Sequence, residues 1–166
     1  MQELASLLDR PEYIHTTINH FPLIGLLVAM LVVLLSLFTH LRLGTVLGLA
    51  LLAVMALSAW PVSYFGEAGY DRVLSMADDP GQAYLKYHAH LADRWVFVYY
   101  VTAAVAILGI ALNWKWPRTL LPLSILVLVL AGASLTAGIF IAHAGGEIRH
   151  REFRTGPPPA VPAEEH

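Results

Sequence analysis

Six of the eight histidines in this cysteine-free chain, His15, His20, His88, His90, His143 and His150, stand within a few residues of the ends of long apolar runs. Neutral imidazole binds haem iron, zinc, copper and non-haem iron, and it exchanges protons near neutral pH. Without thiols, disulfides, thiolate-held clusters and covalent haem attachment are excluded. Helical geometry restricts the rest. His88 and His90 are about 200° apart around a helix, so at most one points inward. His15 and His20 differ by about 140° and about 7.5 Å, so both reach an interior only at different levels. His143 and His150 share nearly one face, about 10.5 Å apart in height, unless Gly145 and Gly146 break the helix between them. Two levels of imidazole imply two stacked metal centres, or one centre with outer histidines that orient ligands or carry protons. Asn19, beside His20, is placed to orient an imidazole through its second nitrogen.

The choice of metal stays open on the residues alone. Glu147 and His150 form one Glu-x-x-His pair, where a bundle di-iron site uses a pair from each of two helices. Zinc, copper or di-iron held by these histidines and Glu147 is therefore one reading. Haem b is the other, needing only two axial histidines from facing helices. Gly25, Ala29, Gly132, Ala133 and Gly138 either line such a plane or simply let helices approach. Glu67 and Glu147 are candidates for proton uptake near the same mouth, against the plainer reading as solvated carboxylates. No nucleophile motif or phosphate-cradling loop is present, which argues against hydrolytic and phosphoryl-transfer chemistry. A third possibility is a structural or assembly subunit whose histidines only hydrogen-bond across helix ends.

The elements that position these residues are legible from composition. The 166 residues are 57% hydrophobic and 13% charged, with mean hydropathy +0.62, well beyond an ordinary soluble domain. Four stretches, 21–38, 43–65, 91–113 and 120–142, are each about the 20 helical residues that cross a hydrocarbon core. The expected fold is all-α: an integral membrane four-helix bundle, up-down-up-down, occupying residues 1–154, with a disordered proline-rich tail over 155–166. The N-terminus lacks the basic start and cleavage site of a removable signal peptide. The narrow turns carry Arg42, Lys115 and Arg118 without an acid, which points them to the cytoplasm and both termini to the extracytoplasmic, periplasmic side. Asp79 with Pro80 reads as a helix start, so the third helix begins outside the bilayer. "YDRVLSM" reads as a short interfacial helix. Trp60, Tyr64, Trp95, Trp114 and Trp116 fall where an aromatic belt sits. A net charge of −2 and the absence of a basic stripe argue against nucleic acid. No internal repeat is evident.

Four local patterns, "HTTINHFPLIG", "YFGEAGYDRVL", "HAHLAD" and "AHAGGEIRHREFR", resemble in order a family of four-helix bacterial membrane proteins catalogued as domain of unknown function 2231. The resemblance implies recurring histidines at His15, His20, His88, His143 and His150, preferring His88 over His90, and haem binding beside cytochrome c and respiratory components. The resulting expectation is a membrane electron-transfer protein of the bacterial inner membrane. It holds one or two b-type haems near the extracytoplasmic face and exchanges electrons with cytochrome c or quinol as one subunit of a redox complex. His20, His88 and His143 are expected as inner ligands, with His15 and His150 as outer ligands or proton carriers. Any enzymatic role would be that of an oxidoreductase component.

Overall fold

The computed structural model describes residues 6–161. Its frame is four helices in sequence: α1 (Pro11–Phe38), α2 (Arg42–Met76), α3 (Asp79–Lys115) and α4 (Pro117–Arg149). With 28 to 37 residues each, they exceed at 1.5 Å per residue the roughly 30 Å of a hydrocarbon core, and they are apolar enough to cross one. The stretches 21–38, 43–65, 91–113 and 120–142 are the apolar portions of these longer helices. No strand occurs among the described residues.

Short turns make successive helices antiparallel neighbours, and polar contacts tie them along their length. At the end with the short turns, Arg42 of α2 donates to the Asn113 carbonyl of α3 at 3.3 Å. Midway along, the hydroxyls of Thr102 on α3 and Ser134 on α4 lie 2.9 Å apart. The core between the helices is built from small and medium side chains, including Ala29, Ala53, Ala56, Ala106 and Ala131, packed with Leu26, Leu49, Leu52 and Val127. Such residues let helix backbones approach closely. The large apolar groups instead face out: Phe38, Leu43, Val129 and Trp114 are all more than half exposed. The belt tryptophans and Tyr64 lie on this outer surface as well.

Extra helix length accumulates at the end bearing the chain termini, where α2 and α3 run on past their apolar portions and are joined by only Ala77 and Asp78. "YDRVLSM" is not a separate interfacial helix but the last turns of α2, which runs on to Met76. Nothing in it breaks a helix, and the chain turns only ahead of the Asp–Pro pair. The N-cap of α3 is Asp78 rather than Asp79, its side chain accepting the Gly81 N–H at 3.0 Å. Both α1 and α2 are irregular near the level where the termini-bearing end begins. Pro22 has no N–H to return to the Ile18 carbonyl, and the chain there widens into a π turn over Phe21–Gly25. Pro61 likewise stands just past a break at Ser58.

Candidate functional site

At the termini-bearing end two imidazoles are seated in the same way on two different helices. His15 of α1 donates its Nδ1–H to the Val62 carbonyl of α2 at 2.8 Å. His88 of α3 donates its Nδ1–H to the Ile141 carbonyl of α4, also at 2.8 Å. Each accepting carbonyl is followed four residues later by a glycine, Gly66 and Gly145, against which the ring lies. A Cβ at Gly66 would stand 2.9 Å from His15 Nδ1, and one at Gly145 would stand 3.1 Å from His88 Nδ1. A helix carbonyl already accepts from the N–H four residues on and keeps a second lone pair. Helical Cβ atoms tilt toward the N-terminus, over that carbonyl. Glycine at the fourth position clears room for an imidazole to reach it, whereas a Cβ there would push the ring outward.

The consequence is chemical. An Nδ1–H held by a carbonyl fixes the neutral tautomer whose Nε2 carries the free lone pair, the arrangement typical of metal-ligating histidine. The two rings are 6.1 Å apart between centroids with planes at 89°. Both line a cavity of about 900 Å³, at the upper end of the roughly 300–1,000 Å³ usual for cofactor and small-molecule sites. Its apolar lining includes Pro22, Leu23, Val96 and Tyr99, and Arg10, Arg72 and Arg149 contribute to it as well.

The remaining candidates lie elsewhere. His20, at the irregular turn of α1, is exposed, with Nδ1 3.3 Å from the Thr17 carbonyl. His143 is exposed, its Nδ1 3.4 Å from the Glu147 carboxylate. His150 pairs with Glu152 at 3.0 Å and stacks on Phe153, although it also borders the cavity. His90 lines a separate recess with Glu67, Asp71 and Asp93, as the 200° separation from His88 requires. Thus His15 and His88 face each other, while His20 and His143, expected as inner ligands, do not join them. Asn19 lines the cavity, but backbone carbonyls, not Asn19, take the second nitrogens. Glu67 borders both recesses. Glu147 is largely buried, and no break occurs at Gly145 and Gly146, since α4 continues to Arg149. Among the described residues no three His, Asp or Glu side chains gather into a metal-holding group.

A clamp fixes the mouth-side ends of α3 and α4. Arg154 donates from Nη1 and Nη2 to the two Asp78 carboxylate oxygens at 3.0 Å each, and from Nε and Nη2 to the Glu147 and Ile148 carbonyls at 2.7 and 2.8 Å. Arg151 adds a contact to Asp78 at 3.1 Å. Anion at a helix N-terminus and cation at a C-terminus both oppose the helix dipoles. The Arg154 hydrogen bond, followed by the Gly81 N–H and the nearby positive charges, holds the Asp78 carboxyl down to about 2.

The glycines that matter were not those expected. Gly25 packs against Met55 and Gly132 has nothing near it; of the five expected small positions only Gly138 borders the cavity. Gly66 and Gly145 have a signal in the sequence only once their partner histidines are known. Comparison with known proteins adds no relative: no family model, curated protein or solved structure matches this chain.

Proposed function

We propose that this chain is a multi-pass protein of a bacterial inner membrane that binds one b-type haem between His15 and His88 and serves electron transfer. The observation that carries the proposal is the facing pair of imidazoles, each with its tautomer set by a backbone carbonyl and its Nε2 free beside a cofactor-sized cavity. The donor set fits a macrocycle better than a bare ion. Zinc, copper and di-iron sites draw on three or more protein ligands, and the described residues gather no such group. A haem brings its own equatorial nitrogens and asks the protein for two axial ones. Bound there, it would supply a one-electron couple.

The chain's own residues do the positioning. Val62 and Ile141 carbonyls orient the rings, Gly66 and Gly145 let them close, and Pro22, Leu23, Val96 and Tyr99 would pack against the macrocycle. The outward-facing Leu, Val, Phe and Trp surface supports membrane insertion. Arg42, Lys115 and Arg118 at the short turns favour a cytoplasmic position for that end. The termini and the mouth then lie on the periplasmic side. His88 stands 27 residues from Lys115, about 40 Å along α3; with Lys115 at the inner boundary of a core about 30 Å thick, the pair would sit about 10 Å beyond the hydrocarbon, at the level of the periplasmic headgroups. That depth suits exchange with a cytochrome c or a quinol within a larger redox complex. The motif likeness to the four-helix family named above belongs to the same reading.

The test is a reduced-minus-oxidised spectrum with a pyridine haemochrome assay on protein expressed with added haem. The expected result is a b-type spectrum, one haem per chain, lost in His15→Ala and His88→Ala and retained in His20→Ala and His143→Ala. A colourless wild-type protein sinks the proposal, and so does a spectrum that survives in both His15→Ala and His88→Ala.

A further inference from the structure

Charge is distributed unevenly along the cavity. Arg10, at the N-cap of α1, is five residues toward the mouth from His15; Arg72 is six residues past Gly66; Arg149 is four past Gly145. All three therefore stand roughly 6–9 Å nearer the opening than the imidazoles, on three different chain segments, and all three line the cavity. Their acidic complement is small. Arg72 Nε meets Glu12 at 2.9 Å. Arg149 has only the Met76 sulfur, at 3.8 Å. Among the described residues no carboxylate pairs with Arg10 or Arg149. The other carboxylates on the cavity, Glu67 and Asp93, lie at or below the imidazole level: Glu67 adjoins Gly66, and Asp93 is five residues deeper than His88.

We infer that the occupant of this cavity carries carboxylates at one end and is seated with that end at the mouth, held by Arg10, Arg72 and Arg149. This rests on the haem reading and deepens it by assigning the orientation and the ligand class: a flat, apolar ring dicarboxylate rather than a neutral quinone. Guanidinium groups pair with carboxylates through parallel hydrogen bonds, and Arg10, Arg72 and Arg149 are exposed at the rim, where carboxylate side arms can reach them. Three guanidiniums against one carboxylate leave the rim with surplus positive charge. A neutral ligand would leave that charge unanswered, whereas anionic side arms neutralise it. Below the rim, Pro22, Leu23, Val96 and Tyr99 supply apolar surface for the body of the ring, with Glu67 and Asp93 at its margin.

The same rim could hold the phosphate of an anionic lipid, and the experiment separates the two sources. Haemin and haemin dimethyl ester, in which the carboxylates are blocked, are titrated into the full-length protein purified without added haem, following the Soret band. The variants are Arg10→Gln/Arg149→Gln, which removes no ion pair among the described residues, and Arg72→Lys, which keeps the charge beside Glu12. The expected result is about tenfold or greater weakening of the ester relative to haemin in the wild type. The double variant loses that discrimination and Arg72→Lys largely keeps it, at unchanged thermal stability. Equal binding of haemin and ester by the wild type overturns the inference and leaves the haem reading standing. So does equal binding accompanied by loss of co-purified phosphatidylglycerol in the double variant, which assigns the arginines to lipid. Failure of both porphyrins to give a His15- and His88-dependent Soret shift overturns the haem reading, and the inference with it.

Discussion

The two ends of this bundle are made from the same four helices yet pack by different rules. In the closed half, α2 from Arg42 to Leu57 buries six residues, among them Gly48, Leu49, Leu52 and Ala56. In the open half, α2 from Ala59 to Met76 buries only Ala59 and Gly69, and the first turns of α1 bury nothing. Small residues bring the backbones together at one end. At the other, Tyr, Arg, Glu and His side chains and two proline-linked irregularities hold them apart around a cavity. The lesson is that close packing is interrupted at the site: Gly66 and Gly145 admit imidazoles there, whereas Gly69 nearby still admits the Glu12 backbone of α1, and Tyr84, Leu85 and Ile148 stay buried together beside it.

The contrast predicts that the two ends respond differently to substitution. The largest effect on stability belongs to the closed end: Leu49→Ala, at a side chain with no exposed surface, should cost about 2–5 kcal/mol. Measured by unfolding in detergent, it should leave affinity for the proposed haem nearly unchanged. Next comes Gly145→Ala at the open end, where a methyl would displace the His88 ring from its carbonyl. Binding should weaken about 10- to 100-fold, as loss of a ligand-orienting contact does. The apoprotein should change little in stability, because the helix preference of alanine over glycine, about 0.5–1 kcal/mol, offsets most of the ~1 kcal/mol lost with the His88 hydrogen bond. A Gly145→Ala protein that binds normally would mean the seat does not matter.

The clamp that joins the ends of α3 and α4 gives a pH signature. Asp78 titrates at about 2 in the folded protein against an ordinary value of 3.8. A carboxyl whose folded pKa is depressed contributes stability that is complete above its unfolded value and is lost as pH falls toward the folded one. Thermal midpoints should therefore be insensitive to this group between pH 5 and pH 7 and drop below about pH 4, and Asp78→Asn should lose that part of the acid dependence. The smallest effect is expected for Thr102→Ala, which removes the hydroxyl contact to Ser134. Interhelical bonds of this kind average about 0.6 kcal/mol. A loss several times larger would show that the mid-bundle polar contact, not the alanine packing, closes that half.

Much of this architecture follows from hydropathy alone. Four apolar runs separated by two short basic turns and one longer polar stretch leave few alternatives to four long helices, since an unpaired backbone in hydrocarbon costs several kcal/mol per group. Helical periodicity also decided that His88 and His90 could not both face inward. What it could not decide was which histidines meet. His15 and His20 are both close to the start of α1, but His15 lies in its regular first turns and reaches the Val62 carbonyl, whereas His20 stands at the irregular turn before Pro22 and is exposed. The role of Gly66 and Gly145 was equally hidden. A glycine in an apolar helix looks the same whether it faces another backbone, a lipid or an imidazole. The difference lies in what a helix 51 or 57 residues away in the chain places against it, and only tertiary packing determines that.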